Sequence, residues 1–361
     1  MSNITREDVL GALRHVDDPD LKKDLVTLNM IEDLMIDGNQ VRFSVVLTTP
    51  ACPLKDMIEN ACRNAIAHFV SAEAEVHINM TSRVTAPAVN GLPGVKNIIA
   101  VASGKGGVGK STVAANLAIS LAKTGAKTGL IDADIYGPSV PILFGVQNER
   151  PGAKDVNGKT WMIPVEKYGI KLLSIGFFTD PKQAVPWRGP MVSSALKQLF
   201  NDAEWGDLDY LVVDLPPGTG DVHITLAQAF PVAGAVIVTT PQQVATADAR
   251  KGIGMFSMQG VQVPVLGVVE NMAYFTPPEL PDKKYYLFGR GGGQALAEEY
   301  GLPFLAELPL LQSVSESGDA GIPVSTDENN PAALLYTGLA EAVAQQIAIR
   351  NARSEKPAFA G

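Results

Sequence analysis

Cysteine is almost missing from this chain, with two residues in 361. So low a count excludes a disulfide framework. Positive charge is also short: 29 Lys and Arg against 38 Asp and Glu leave a formal charge of -9, with an isoelectric point near 5.0. Broad electrostatic binding to nucleic acid or to an anionic membrane is therefore not expected, although a local basic patch stays open. No signal peptide and no apolar run of membrane-spanning length stands out, so the expected location is the cytoplasm. Internal repeats and low-complexity tracts are absent as well. What remains is an ordinary soluble composition, 46% hydrophobic and 19% charged. The length suffices for two domains, one with a substantial core.

The chain is organised around Gly104, Lys105, Gly106, Gly107, Val108, Gly109, Lys110, Ser111 and Thr112. Before them, residues 97–101 form a short apolar β-branched run that reads as a buried parallel strand. After them, residues 113–123 carry apolar side chains at helical spacing. Strand, glycine-rich loop, Gly-Lys-Ser and helix make the Walker A arrangement in its required context. The glycines let successive N–H groups converge on phosphate oxygens, and the helix N-terminus adds partial positive charge. Lys110 is placed to reach the β- and γ-phosphates and the Ser111 hydroxyl to ligate Mg²⁺. A glycine-rich turn matching by chance would lack the flanking strand and helix. A bound nucleoside triphosphate, ATP with Mg²⁺, is expected.

Residues 1–83 read as a separate small αβ domain, with a helix near 5–15, a hairpin about Gly38, Asn39 and Gln40, a helix running to 70 and a last strand at 73–79. Residues 84–96, with Pro87, Gly91, Pro93 and Gly94, form a linker. An α/β domain of strand–helix alternation, hence a parallel sheet covered on both faces, spans 97–352, and 353–361 form a tail. Pro53 suits the first position of a helix, which places Cys52 at the N-cap. There the helix dipole favours a thiolate, the form that binds metal or attacks electrophiles. A buried structural thiol is an equal reading of Cys52, and Cys62 reads as core.

In the larger domain, Asp132 and Asp134 follow the second strand, where carboxylates sit beside the phosphates and can orient water or hold a Mg²⁺-bound water. As isolated acidic residues they serve equally well to cap a turn. Residues 140–182 read as an elaboration with a hairpin, of little chemical import. Arg188 offers a phosphate or partner contact, with a structural ion pair the favoured reading. Asp214 ends an apolar strand at 208–213, the Walker B position that binds Mg²⁺ through water. Gly218 in the following loop can give its N–H to the γ-phosphate, making this a switch that orders around the triphosphate. Asp221 either transmits the nucleotide state or caps a helix, and His223 reads as structural.

Lys105 makes this a loop with two lysines, and it resembles the deviant Walker A class of ATPases. That class includes the ParA and MinD positioning proteins, nitrogenase iron protein, tail-anchor targeting ATPases and the Mrp/ApbC proteins. The resemblance implies a homodimer with ATP sandwiched between subunits, Lys105 reaching the phosphates held by the opposite subunit. It also implies that Asp134 positions the water with Asp132 in support, and that Asn271 reads the adenine edge. Asp-Ile-Tyr-Gly-Pro-Ser at 134–139, Trp-Arg-Gly-Pro-Met at 187–191, Glu-Leu-Pro at 307–309 and residues 317–323 are similar to the Mrp/ApbC branch. Thr-Pro-Ala-Cys-Pro at 49–53 resembles the small domain of iron–sulfur assembly factors.

By that resemblance the chain is an iron–sulfur cluster carrier ATPase. Its partners are a second copy of itself, apo iron–sulfur proteins and assembly factors, and neither nucleic acid nor membrane. Hydrolysis is expected to be slow without a partner. The pattern departs at one place. Where most such proteins carry Cys-x-x-Cys after Asn-Met to hold a 4Fe–4S cluster, residues 273–281 contain no cysteine. Cys52 remains the candidate ligand. Cys62 lies ten residues further, about 15 Å along a continuous helix at 1.5 Å per residue, too far to share a cluster within one chain. An ATP-driven adaptor that binds no cluster is the alternative. A positioning ATPase is disfavoured by the acidity, the fused domain and a terminal helix that is not markedly basic. A metabolic kinase lacks any acceptor-binding signature.

Overall fold

A computed structural model describes residues 4–86, 92–156, 158–179, 187, 189–277 and 279–354. Arg188, part of the expected linker and most of the expected tail lie outside them. Contacts divide the chain into two units, one of residues up to Ala86 together with Ala344 onward, the other from Pro87 to Val343.

The small unit opens with α1 (Arg6–Leu13), whose Thr5 cap and Asp8 satisfy each other's backbone N–H groups. Two short strands, β1 (Asp17–Asp18) and β2 (Lys23–Asp24), precede β3 (Ile31–Asp37), β4 (Gln40–Leu47), α2 (Lys55–Phe69) and β5 (Glu75–Ser82). Central β4 runs antiparallel to β3 and parallel to β5. Its alternate residues Val41, Phe43 and Val45 pack with Val9 and Leu13 of α1 and Ile58, Cys62 and Ile66 of α2, so both helices cover one face of the sheet.

Cys62 is therefore core, and burial pushes its thiol up to about 12. Cys52 differs from its expected place. The Ala51 N–H bonds to the Thr49 hydroxyl in a turn, and α2 begins only at Lys55 with Leu54 as its cap. Pro53 and Cys52 thus precede the helix, and the dipole argument for a thiolate does not hold there.

The larger unit contains β6 (Val95–Ala102), α3 (Lys110–Lys123), β7 (Thr128–Asp132), α4 (Val140–Leu143), β8 (Gly152–Val156), β9 (Lys159–Ile163), β10 (Val165–Lys167) and β11 (Ile170–Ser174). It continues through α5 (Gly189–Asn201), β12 (Leu208–Asp214), α6 (Asp221–Ala229), β13 (Val232–Thr239), α7 (Gln243–Phe256), β14 (Val265–Glu270), α8 (Gly292–Tyr300), β15 (Phe304–Glu307), α9 (Gln312–Asp319) and α10 (Pro331–Ser354). Eight strands form one sheet in the order β10-β11-β7-β12-β6-β13-β14-β15, parallel except for edge strand β10.

Ile98, Ala100, Leu211, Val213, Ala235 and Ile237 point to a core shared with α5, α6 and α7. The alternate residues Ile99, Val101, Val212 and Val236 are equally buried on the opposite face, where α3 packs. This is the doubly covered parallel sheet expected. The excursion at 140–182 does more than expected, because it supplies β11 to the main sheet.

The last helix also departs from the sequence reading, which placed it wholly in the larger domain and found no run of spanning length. Its contacts divide after Val343, and within the small unit Gln345 donates to Asp20 and Asn351 to the Thr85 carbonyl. Residues 331–353 do meet the length and composition of a membrane span, but half of that window is buried. Tyr336, Leu339, Val343 and Ile347 recur at helical spacing and are buried, as in a core helix.

Candidate nucleotide site

The site forms where four neighbouring strands end level. Val101 of β6 pairs with Asp214 of β12, Asp214 with Asp132 of β7, and Asp132 with Ser174 of β11. Walker A loop and acidic residues thus meet although more than a hundred residues separate Lys110 from Asp214. Lys110 is buried, with Nζ 2.5 Å from Asp214 Oδ1, 3.2 Å from Ser111 Oγ and 4.0 Å from Asp134 Oδ2. Asp214 is inaccessible and its Oδ2 has no partner among the described residues. Burial pushes its carboxyl above the ordinary carboxylate range, against the pull of Lys110. An orphaned buried oxygen next to a hydroxyl and an ammonium suits a site for Mg²⁺ and phosphate.

Asp132 and Asp134 take different roles. Asp132 is fully buried and accepts from Ser174 Oγ at 2.9 Å, Val140 N at 3.1 Å and Asp134 N at 3.2 Å. Burial, then the nearby Asp214 charge, raises its carboxyl. It pins the turn after β7. Asp134 accepts from Gly137 N at 3.3 Å through Oδ1 and turns Oδ2 toward the Lys110 ammonium; burial raises it too. Ser174 was not singled out in the sequence, where a serine ending a short apolar run is a weak signal.

The loop itself is braced from outside. A Cβ on Gly104 would overlap the backbone of Asp248 in α7, so only glycine allows that approach. Gly109 has φ +80°, and there a Cβ would strike the Asn271 side chain. Asn271 is buried, its Nδ2 donating to the Val108 carbonyl at 2.9 Å. Gly218 N–H donates to the Ser103 carbonyl at 2.8 Å, so a γ-phosphate would have to win that donor from the loop. Behind α3, Asn116 bonds the Thr112 carbonyl and accepts from Ser325 N. Glu270, beside Asn271, accepts from the N-terminal Gly293 N–H of α8. Lys105 is exposed.

After Met272, backbone bonds join Phe275 to Tyr285, Lys284 lies 3.8 Å over the Tyr274 ring and Arg290 4.7 Å over Tyr286. Pro278 of this stretch is outside the described residues. Among those described, no cluster of three or more His, Cys, Asp or Glu could hold a metal. Asp221 begins α6 rather than capping it; the cap is Gly220.

His223 is buried, its ring nitrogens near the Gly220 and Pro216 carbonyls without a regular hydrogen bond. Burial lowers its pKa to about 4 from 6.5. The unfolded chain therefore takes up a proton near pH 6.5 that the fold refuses until about 4, so stability falls as pH drops through that window. The expected loss between pH 7 and 4 is about 3 kcal/mol at 1.36 kcal/mol per unit. Melting of His223→Phe across this range should show a flatter acid limb; an unchanged slope would mean that other groups govern it.

Fold and site together define a P-loop NTPase with a second lysine in its phosphate loop. Residues 94–344 match the family described as NUBPL iron-transfer P-loop NTPase, and residues 6–79 the iron-sulfur cluster assembly protein family. The chain is 47% identical over 353 residues to an iron-sulfur cluster carrier protein of Synechocystis sp., covering 96% of this chain and 99% of that one. The carrier protein of Deinococcus radiodurans is 47% identical over 344 residues, 95% of this chain and 96% of that one. A solved nucleotide-binding protein of Archaeoglobus fulgidus, in complex with ADP, superposes with TM-score 0.57 at 40% identity over 67% of this chain and 91% of its own. The chain belongs to the iron–sulfur cluster carrier family of P-loop NTPases.

Proposed function

We propose that this chain hydrolyses ATP as a cytoplasmic homodimer and carries iron–sulfur clusters to apo-proteins, slowly until a partner engages it. The observation that carries the reading is the buried Lys110–Asp214 pair. It holds both groups where a nucleotide needs them, with Ser111 and Asp134 gathered around the same ammonium. On binding, Lys110 transfers its ammonium to the β- and γ-phosphates. Ser111 and, through water, Asp214 hold Mg²⁺, which supplies neutralising charge at those oxygens. Asp134 accepts a hydrogen bond from the attacking water, whose oxygen bonds to the γ-phosphorus as the bond to the ADP oxygen breaks, giving ADP, with the water's proton passing to the inorganic phosphate formed. Asn271 reads adenine, Gly218 senses the γ-phosphate, and exposed Lys105 reaches the phosphates of the opposite subunit. The small domain, the linker and the larger domain act as separate parts moved by these switches.

The cluster is cargo, and its ligand is Cys52. With Cys62 sealed in the core and held as a thiol, a dimer offers one accessible cysteine from each chain. Anaerobic reconstitution of the wild type and Cys52→Ala, with iron, sulfide and transfer to an apo-acceptor measured, tests this. One cluster per dimer in the wild type and none in Cys52→Ala is expected, with ATP hydrolysis retained in both. If neither protein holds a cluster while both hydrolyse ATP, the carrier reading fails and an ATP-driven adaptor replaces it.

A further inference from the structure

His223 is 1% exposed, and neither of its ring nitrogens has a hydrogen-bond partner among the described residues. It sits in the first turn of α6, its ring centre 6.3 Å from that of Phe256 in α7. Val222 beside it and Leu226 one turn on are packed into the core. The ring is thus held in place from the helix side. Burial lowers its pKa to about 4, so at neutral pH the imidazole is uncharged and has a single N–H to donate. A buried donor left unbonded is costly, and native folds keep few of them.

The loop at 215–220 borders that ring. The Pro216 and Gly220 carbonyls lie near it, one at each end of residues 217–219. The Gly220 carbonyl already accepts the backbone N–H of His223 at 3.1 Å, which makes the carbonyl of buried Pro216 the better acceptor for the ring. Between the two stands Gly218, with φ +95° and open space where a Cβ would be. Its N–H donates to the Ser103 carbonyl at 2.8 Å, and Pro217 rests 3.8 Å from the Cβ position of Gly106 in the phosphate loop. The loop is therefore tied to the phosphate loop on one side and faces an unbonded imidazole on the other.

We infer that His223 is a positioning residue of the switch: when a γ-phosphate takes the Gly218 N–H from Ser103, the loop shifts and the His223 ring N–H closes on the Pro216 carbonyl. This role rests on ATP being the ligand of the phosphate loop. A contact made in only one state shifts the equilibrium toward that state. His223 thereby favours the triphosphate over the diphosphate without touching either, acting through Gly218.

The test uses the full chain with ¹⁵N-labelled histidine, which gives four imidazoles; the His223 signals are those missing from His223→Phe. Spectra are recorded without nucleotide, with MgADP and with the Mg²⁺ complex of adenylyl imidodiphosphate, an ATP analogue that is not hydrolysed. The protonated ring nitrogen should move to a hydrogen-bonded shift with the analogue alone. In parallel, titration of His223→Phe should show a loss of about fivefold in affinity for the analogue, the worth of one hydrogen bond, with ADP affinity kept. His223→Gln, which restores an N–H donor, should recover part of the loss. The inference is overturned if the ring signals are the same with ADP and with the analogue, if the ring is already bonded in the nucleotide-free protein, or if His223→Phe weakens both nucleotides alike, as a merely space-filling side chain would. A wild type that binds neither nucleotide overturns the ATP reading itself, and this role with it.

Discussion

Lys110→Ala is expected to abolish ATP hydrolysis and to destabilise the nucleotide-free protein in the same stroke. The catalytic loss follows from removing a buried ammonium aimed at the phosphates; loss of one such group typically lowers kcat by about 10²–10³. The stability loss follows from what stays behind. Asp214 is inaccessible, and among the described residues Lys110 provides its only close counter-charge, at 2.5 Å. Leaving one member of a buried pair alone costs about 3–5 kcal/mol. Asp214 escapes part of this by keeping its proton, since burial already raises its pKa. A raised carboxyl pKa means that the fold holds a proton the unfolded chain has released above about 3.8. The variant should therefore lose stability as pH rises from there. Adding Asp214→Asn should restore the denaturation midpoint without restoring turnover. A Lys110→Ala protein as stable as the wild type would show that the pair does not bear on folding.

Gly104→Ala should lower nucleotide affinity, although it removes no functional group. The new Cβ would overlap the carbonyl carbon and oxygen of Asp248 and the amide of Ala249. These are backbone atoms within α7 and cannot rotate aside. Either α7 or the phosphate loop must move, and overpacking of this kind costs about 1–3 kcal/mol. Because the loop's N–H groups must converge on phosphate, a shift of the loop should lower ATP affinity by tenfold or more, about 1.4 kcal/mol. Gly107→Ala provides the contrast. Its Cβ meets open space, and only the positive φ of 82° is unfavourable, about 1 kcal/mol. Nucleotide titration beside thermal melting separates the two. Equal affinity in Gly104→Ala and the wild type would mean that the approach of α7 does not shape the loop.

The nucleotide site was legible because its parts are local. Strand, glycine loop, Lys110, Ser111 and helix are contiguous, and the chemistry of each residue is set by its immediate neighbours. The first helix and the turn at Gly38 were readable for the same reason. Cys52 shows where local reading fails. Pro53 is a good first residue for a helix, but the Thr49 turn delays α2 to Lys55. A side-chain hydrogen bond closed by folding outweighed a propensity. Ser174 and β11 were missed because a five-residue apolar run does not announce which strand it will join.

The sequence by itself determined that this chain builds a phosphate-binding loop on a parallel sheet, carries acids at strand ends and offers two cysteines. Those properties follow from residue chemistry and short-range periodicity. Only the tertiary structure decided which acid meets Lys110, that Asp132 pins a turn while Asp134 stays available, and that Gly218 and Asn271 spend their donors on the loop's own carbonyls. It alone set Ser174 beside Asp132 and started α2 after Cys52 and Pro53. The reason is physical: strand order and register set the distances between side chains far apart in sequence, and periodicity along one strand carries no information about its neighbour.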